Sequence, residues 1–276
     1  MSSELIAQIL YDVAYNHDQP DTDGKLQAHQ IASALSELST RDDFTDDQMI
    51  GLEYSYLKPL RFSQHAFTAL KKSFASAPAL FIESLIWAFK RRDDHPDEAR
   101  FTEVTDKVRN SLAGRSYDLL DQVDILPGLH KEDELDNQRQ ACRSWVEQAR
   151  KQAKAVSRLK VCDSKLGEFF SKSPDGTDGI WPHEVARDAI ELVNNEQFRE
   201  GFIIGVRNGR GVRTSSAYEG GDQERVLAEK YNNWAKEVSS LSSLTARILS
   251  EIADSYLREA KRNDEDAKLR TRLERK

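Results

Sequence analysis

The chain of 276 residues is 32% charged and 38% hydrophobic, with a net charge of −7. It is long enough to bury a sizeable core, and its apolar residues recur with a period, which excludes a disordered composition. The acidic balance argues against generic nucleic-acid binding, which needs a net basic face, while leaving room for a local basic patch.

Seven prolines and thirteen glycines are few for this length, and the abundance of Glu, Lys, Arg, Ala and Leu favours helix. Met1-Ser2-Ser3-Glu4 has no basic region leading into an apolar run, and no stretch reaches the roughly 18 apolar residues of a membrane span. Two cysteines make no disulfide framework, and Cys142 shares a helical face with Trp145 and Val146, which predicts a buried thiol. A cytoplasmic protein is expected.

Leu5, Ile6, Ile9, Leu10 and Val13 predict a first helix over Ser3 to Asn16. Asp21, Asp23 and Gly24 then resemble a calcium loop, but Gln19 and Gln30 stand at its first and last ligand positions, so a polar turn is expected. A second helix carries Leu26, Ile31, Leu35 and Leu38. Thr45 and Gln48 form a capping-box pattern for a third, with Ile50, Tyr54 and Leu57 on one face and Pro59 ending it. Phe67, Leu70 and Phe74 mark a fourth. Pro78 suits the first turn of a fifth, whose Leu80 to Phe89 leave almost no polar face.

Arg91 to Glu98 is an all-polar linker. A longer helix follows through Val104, Val108 and Leu112, and Pro127-Gly128 is turn chemistry. Leu135, Cys142, Trp145, Val146 and Ala149 mark the next helix, and Asp163 is placed to cap a short one holding Leu166, Phe169 and Phe170. Asp175, Asp178 and Gly179 again fail calcium spacing, and Pro182 fits the first turn of a helix through Val185, Ala189 and Val193. Phe198, Phe202 and Val206 lie on a helix that ends at Gly209. Val226 to Val238 and Leu241 to Ala260 supply two further faces, after which the charged remainder is expected to fray.

The result is an all-α chain of about twelve helices in stacked helical hairpins, as an irregular α–α solenoid or a compact multi-helix bundle. No internal repeat is found. The linker divides it into an N-terminal helical subregion, 1–92, and a C-terminal one, 97–264, followed by a charged tail, 265–276.

Chemistry is sparse. There is no G-x-S-x-G, no Walker A pattern, and no metal-ligand spacing among six scattered histidines, most of them at joints where a solvated ring is the default. Arg61 and His65 miss the R-x4–6-H spacing of HEPN-type RNases by one residue. No catalytic residue, metal or cofactor is assigned, and a non-enzymatic protein is expected.

The exception is Gly201 to Tyr231, where five glycines (Gly205, Gly209, Gly211, Gly220, Gly221) and four arginines (Arg207, Arg210, Arg213, Arg225) crowd one loop and its borders. Two readings fit it. In one, Arg207, Arg210 and Arg213 present forked donors to a phosphate or carboxylate, beside the helix opened by Gly220-Gly221-Asp222. In the other, Gly209 ends a helix in a left-handed cap and Arg207, Arg210 and Arg225 pair internally with Glu219, Asp222 and Glu224. Four arginines against three carboxylates leave little excess charge over 205–225, and Asp222 would repel a phosphate. The structural joint therefore outweighs a ligand site. The candidate binding residues are Arg207, Asn208, Arg210, Arg213, Tyr218, Glu219, Gln223 and Arg225.

Trp181-Pro182-His183-Glu184, GFIIGVRNGRGV, EGGDQERVLAEKYNNWA and SYLREAKRNDEDAKLR resemble a recurrent C-terminal α-helical module of large, mostly uncharacterised bacterial multidomain proteins, associated with defence systems. PALFIESLIWAFKRR and CRSWVEQARK look like upstream parts of it, so the resemblance spans most of residues 75–270. It implies a helical region usually attached to other domains and transfers no catalytic residue. The expected function is a scaffold or sensor that binds a protein partner. The alternative is a nucleotide- or nucleic-acid-binding regulatory domain using the 205–225 loop.

Overall fold

Capping chemistry sets several helix starts in the computed structural model, which describes residues 2–16, 26–91, 99–129, 133–211 and 220–274. The described residues hold thirteen helices and no strand, so the all-α class and its packed helix pairs stand.

One unit comprises residues 1–127 and 147–159. Its helices are α1 (Ser3–Asn16), α2 (Ala28–Leu38), α3 (Asp46–Ser55), α4 (Thr68–Ser76), α5 (Ala79–Ala88), the single turn α6 (Ala99–Thr102) and α7 (Asp106–Gln122). Thr45 accepts the Gln48 N–H at 3.3 Å, and the Gln48 side chain accepts the Thr45 N–H at 3.0 Å, which closes the expected capping box. The buried face of α3 is turned from the expected one and keeps Leu57 of it. It is Met49, Leu52 and Glu53, continued by Tyr56 and Leu57, while Ile50 and Tyr54 are half-buried. A carboxylate sits inside that apolar stripe, which is why spacing alone picked the wrong face.

The apolar α5 ends under Arg158, itself only 2% exposed. Its guanidinium donates to the carbonyls of Phe89 at 3.1 Å and Ile86 at 3.4 Å, satisfying acceptors that a helix end leaves unpaired. Pro78 stands at the N-cap of α5 rather than inside its first turn. The linker residues 92–98 lie outside the described residues.

The other unit comprises residues 128–146 and 160–276. α8 (Leu135–Ala155) contributes its first half here and its second half to the first unit; α9 (Leu159–Phe170), α10 (Glu184–Val193), α11 (Glu196–Gly209), α12 (Asp222–Val238) and α13 (Ser243–Glu274) follow. Cys142 is buried as expected, and burial pushes its thiol up to about 12.

Asp163 does not cap α9. It lies a turn inside the helix, 3% exposed, and accepts a hydrogen bond from Asn195 Nδ2 at 2.6 Å. Asn195 in turn caps α11 by accepting the Phe198 N–H at 2.9 Å. α9 and α11 also meet backbone to backbone: a Cβ on Gly201 would overlap the Ser164 carbonyl oxygen, and one on Gly167 the Phe198 carbonyl oxygen.

Pro182 precedes the α10 cap, which is His183, and the Trp181–Pro182 bond is cis. The His183 ring accepts the Val185 N–H at Nδ1, 3.2 Å away. Arg187, 3% exposed, binds Asp178 through both terminal nitrogens at 2.7 and 2.9 Å and so fixes the joint ahead of α10. Glu191 accepts the N–H groups of Leu244 and Thr245 at 2.9 and 3.1 Å, which caps α13 from α10. α13 then runs helical to Glu274, through the charged segment where fraying was expected. No helix among the described residues is long and apolar enough to cross a membrane.

Candidate functional site

The Gly/Arg region is built from the end of α11, the start of α12 and the middle of α13. Gly209 is the last residue of α11, and the positive φ falls on Gly211, at 70°, rather than on Gly209. Arg210 is the C-cap residue, in right-handed helical geometry. Residues 212–219 lie outside the described residues, and with them Arg213, Tyr218 and Glu219.

Arg210 turns inward. Its Nη2 meets Glu224 Oε1 at 2.7 Å, and Glu224 is fully buried. The second Glu224 oxygen accepts Asn263 Nδ2 at 3.0 Å, and Glu259 lies 3.8 Å from Arg210 Nη1. The guanidinium stands 5.3 Å from the centre of the Tyr256 ring, which stacks on Tyr231 with an interplanar angle of 17°. Tyr231 packs in turn against Trp181 and Trp234. Arg210 therefore anchors the end of α11 to both α12 and α13 over an aromatic cluster.

Arg225 is held from two sides, by Asp264 at 2.8 Å and Asp222 at 2.5 Å. Asp264 also accepts the Gly221 N–H at 2.8 Å. The Arg225 guanidinium first, and that N–H second, hold the Asp264 carboxyl below the usual carboxylate range. Arg207 meets the Ser255 hydroxyl and lies 6.0 Å from the Tyr256 ring centre. Asn208 is exposed and Gln223 half-buried. Of the candidate residues, the structure thus gathers Arg207, Arg210 and Arg225 along the α13 surface from Ser255 to Asp264, and Arg210 and Arg225 are engaged by carboxylates of the chain itself. A phosphate arriving at either would have to displace a carboxylate already in place.

A second constellation was invisible in the sequence. In the first unit α2, α3, α4 and the segments leading into α3 and α4 line an open cavity of about 730 Å³. Within its wall His65 Nε2 lies 3.1 Å from Glu53 Oε1, and Glu53 Oε2 accepts the Leu70 N–H at 2.7 Å. Glu53 is 2% exposed, and the His65 side chain 12%. The histidine expected to be solvated is instead packed edge-on against Phe67, with ring centres 4.9 Å apart. His183 is likewise buried. The available signal was Glu53 itself, a carboxylate in register with Met49, Leu52 and Tyr56 on one helical face.

No group of three or more His, Cys, Asp or Glu among the described residues is placed to hold a metal ion. No protein-family model, no curated protein and no solved structure matches this chain.

Proposed function

We propose that the chain is a non-enzymatic helical interaction module that docks a protein partner through the last turns of α13, as one part of a larger assembly. The carrying observation is the face on which those turns place their leucines. Ala260, Asp264, Ala267 and Thr271 follow one line along α13 and are buried or half-buried. Leu269 and Leu273 lie about 200° round from Ala267 and Thr271 at 100° per residue, and are 55% and 63% exposed. α12 begins level with Asp264, so no described helix flanks the turns beyond it.

The same stretch reverses the sign of the chain. Residues 268–276 carry five basic side chains and one acidic, against −7 for the whole. Two leucines one turn apart within a basic helix fit an acidic partner helix that presents its own apolar stripe. A nucleotide- or nucleic-acid-binding role for the 205–225 loop is the second reading, favoured among the described residues by Arg207, whose neighbours here are a hydroxyl and an aromatic ring.

The test is a pull-down with three baits: wild type, Leu269→Asp/Leu273→Asp, and Arg207→Ala/Arg213→Ala, each checked for helix content. An acidic protein captured by wild type and by the arginine variant, and lost from the leucine variant, is the expected result. An unchanged partner set with the leucine variant sinks the proposal. Nucleotide or nucleic acid lost only from the arginine variant, with steep salt dependence, establishes the second reading instead.

A further inference from the structure

We infer that the cavity between α2, α3 and α4 is a binding site for a neutral, polyhydroxylated small molecule of the mono- or disaccharide class, with His65 as its central hydrogen-bonding group. This inference does not depend on the role of α13.

The argument starts from Glu53. A carboxylate this buried needs its lone pairs satisfied. One oxygen takes the Leu70 N–H, an amide in the first turn of α4. The other takes His65 Nε2. A carboxylate oxygen accepts in this contact, so Nε2 carries the hydrogen and Nδ1 is the ring nitrogen left over. Nδ1 makes no hydrogen bond among the described residues. Glu53 thereby holds the plane of a histidine on the cavity wall and leaves its second nitrogen for a hydrogen bond to a ligand hydroxyl, which can serve as donor or acceptor.

The backbone beside it is held in a costly conformation. Phe67 has φ 50°, in the left-handed region that side chains other than Gly, Asn and Asp seldom enter. Its ring braces His65 from the edge. Strain kept next to an oriented, buried polar pair is the arrangement found where a site is preorganised.

The lining indicates the ligand. Ser33, Ser36 and Thr68 supply hydroxyls, Gln64 an amide, and Phe44 an aromatic ring. Hydroxyls and an amide serve as both donors and acceptors, which suits a ligand that presents alternating hydroxyl groups. An aromatic ring suits the C–H face of a sugar. Charge disfavours an anion: Asp46 and Glu53 face the cavity against Lys72, which pairs with Asp46 at 3.4 Å, and Glu53 already fills the amide position at the start of α4 that would have drawn an anion. The volume lies within the range of small-molecule sites.

The experiment is saturation-transfer NMR on the full chain with a panel of neutral mono- and disaccharides and the corresponding sugar phosphates. The variants are His65→Ala, which removes the ring nitrogen offered to the ligand, and Ser36→Phe, which narrows the cavity from α2 and leaves the His65–Glu53 pair intact. Amide spectra of both variants establish that the fold is kept. Saturation of at least one neutral sugar by wild type, weakened about tenfold in His65→Ala and lost in Ser36→Phe, is expected, a tenfold change being the worth of one ligand hydrogen bond. The inference is overturned if no neutral sugar is saturated, if sugar phosphates bind more tightly, or if binding survives both variants.

Discussion

His183 shows how one side chain couples this fold to pH. It caps α10 by accepting at Nδ1, which requires an unprotonated ring. Burial first, and the neighbouring Arg187, push its pKa below the ordinary 6.5, although Glu184 and Asp178 pull the other way. The unfolded chain therefore takes up the proton first as pH falls. The stability that His183 contributes is complete above about 6.5 and is lost as pH drops through the lower folded value. Thermal melts should show Tm falling between pH 7.5 and pH 5.5. His183→Asn, which keeps a capping acceptor and does not titrate, should flatten that slope. An equal slope in the variant would assign the effect to other groups. Sequence reading placed this histidine at a joint and stopped there, because whether a joint is buried depends on Arg187 and Asp178 closing over it, and such closure has no sequence period.

At the scale of elements, two helices cross more closely than their side chains suggest. Gly201→Ala would drive a methyl into the Ser164 carbonyl and should cost about 1–3 kcal/mol in chemical denaturation. Gly209→Ala, where no atom lies within 4 Å of the added carbon, should be neutral or stabilising by up to about 1 kcal/mol. Equal effects of the two would remove the crossing from the account. The helices themselves were largely legible. Periodicity and the Thr45–Gln48 pair located α1 and α3, and apolar density located α5. What failed was the orientation of α3 and the role of Asp163. In both, a buried carboxylate takes its partner from far along the chain: Glu53 from Leu70 and His65, Asp163 from Asn195. Local spacing cannot report such pairs. The Gly/Arg stretch was found as unusual, and its internal pairing was half foreseen: Glu224 and Asp222 were named as partners, whereas Asp264 lies 39 residues from Arg225 and was not.

Across the whole molecule, α8 is the element shared by both units, with Cys142, Trp145 and Val146 buried in one and Ala149 and Ala153 in the other. Proline at the exposed Gln148 removes a hydrogen bond from its middle and should cost about 3 kcal/mol or more, against about 1 kcal/mol for glycine there. Because the helix serves both units, the aromatic signals of Trp87 in one and of Trp181 and Trp234 in the other should both shift to lower denaturant. Loss confined to one set would mean that the halves of α8 act separately.

The contact between α9 and α11 bears on ancestry as well as on stability. Where two backbones touch, every side chain is excluded, so a chain inheriting this crossing has to keep glycine at the positions of both Gly167 and Gly201 while its surface drifts. That pair, together with a carboxylate at the position of Asp163 and an amide at that of Asn195, is a four-residue signature by which distant kin can be sought after overall similarity has decayed.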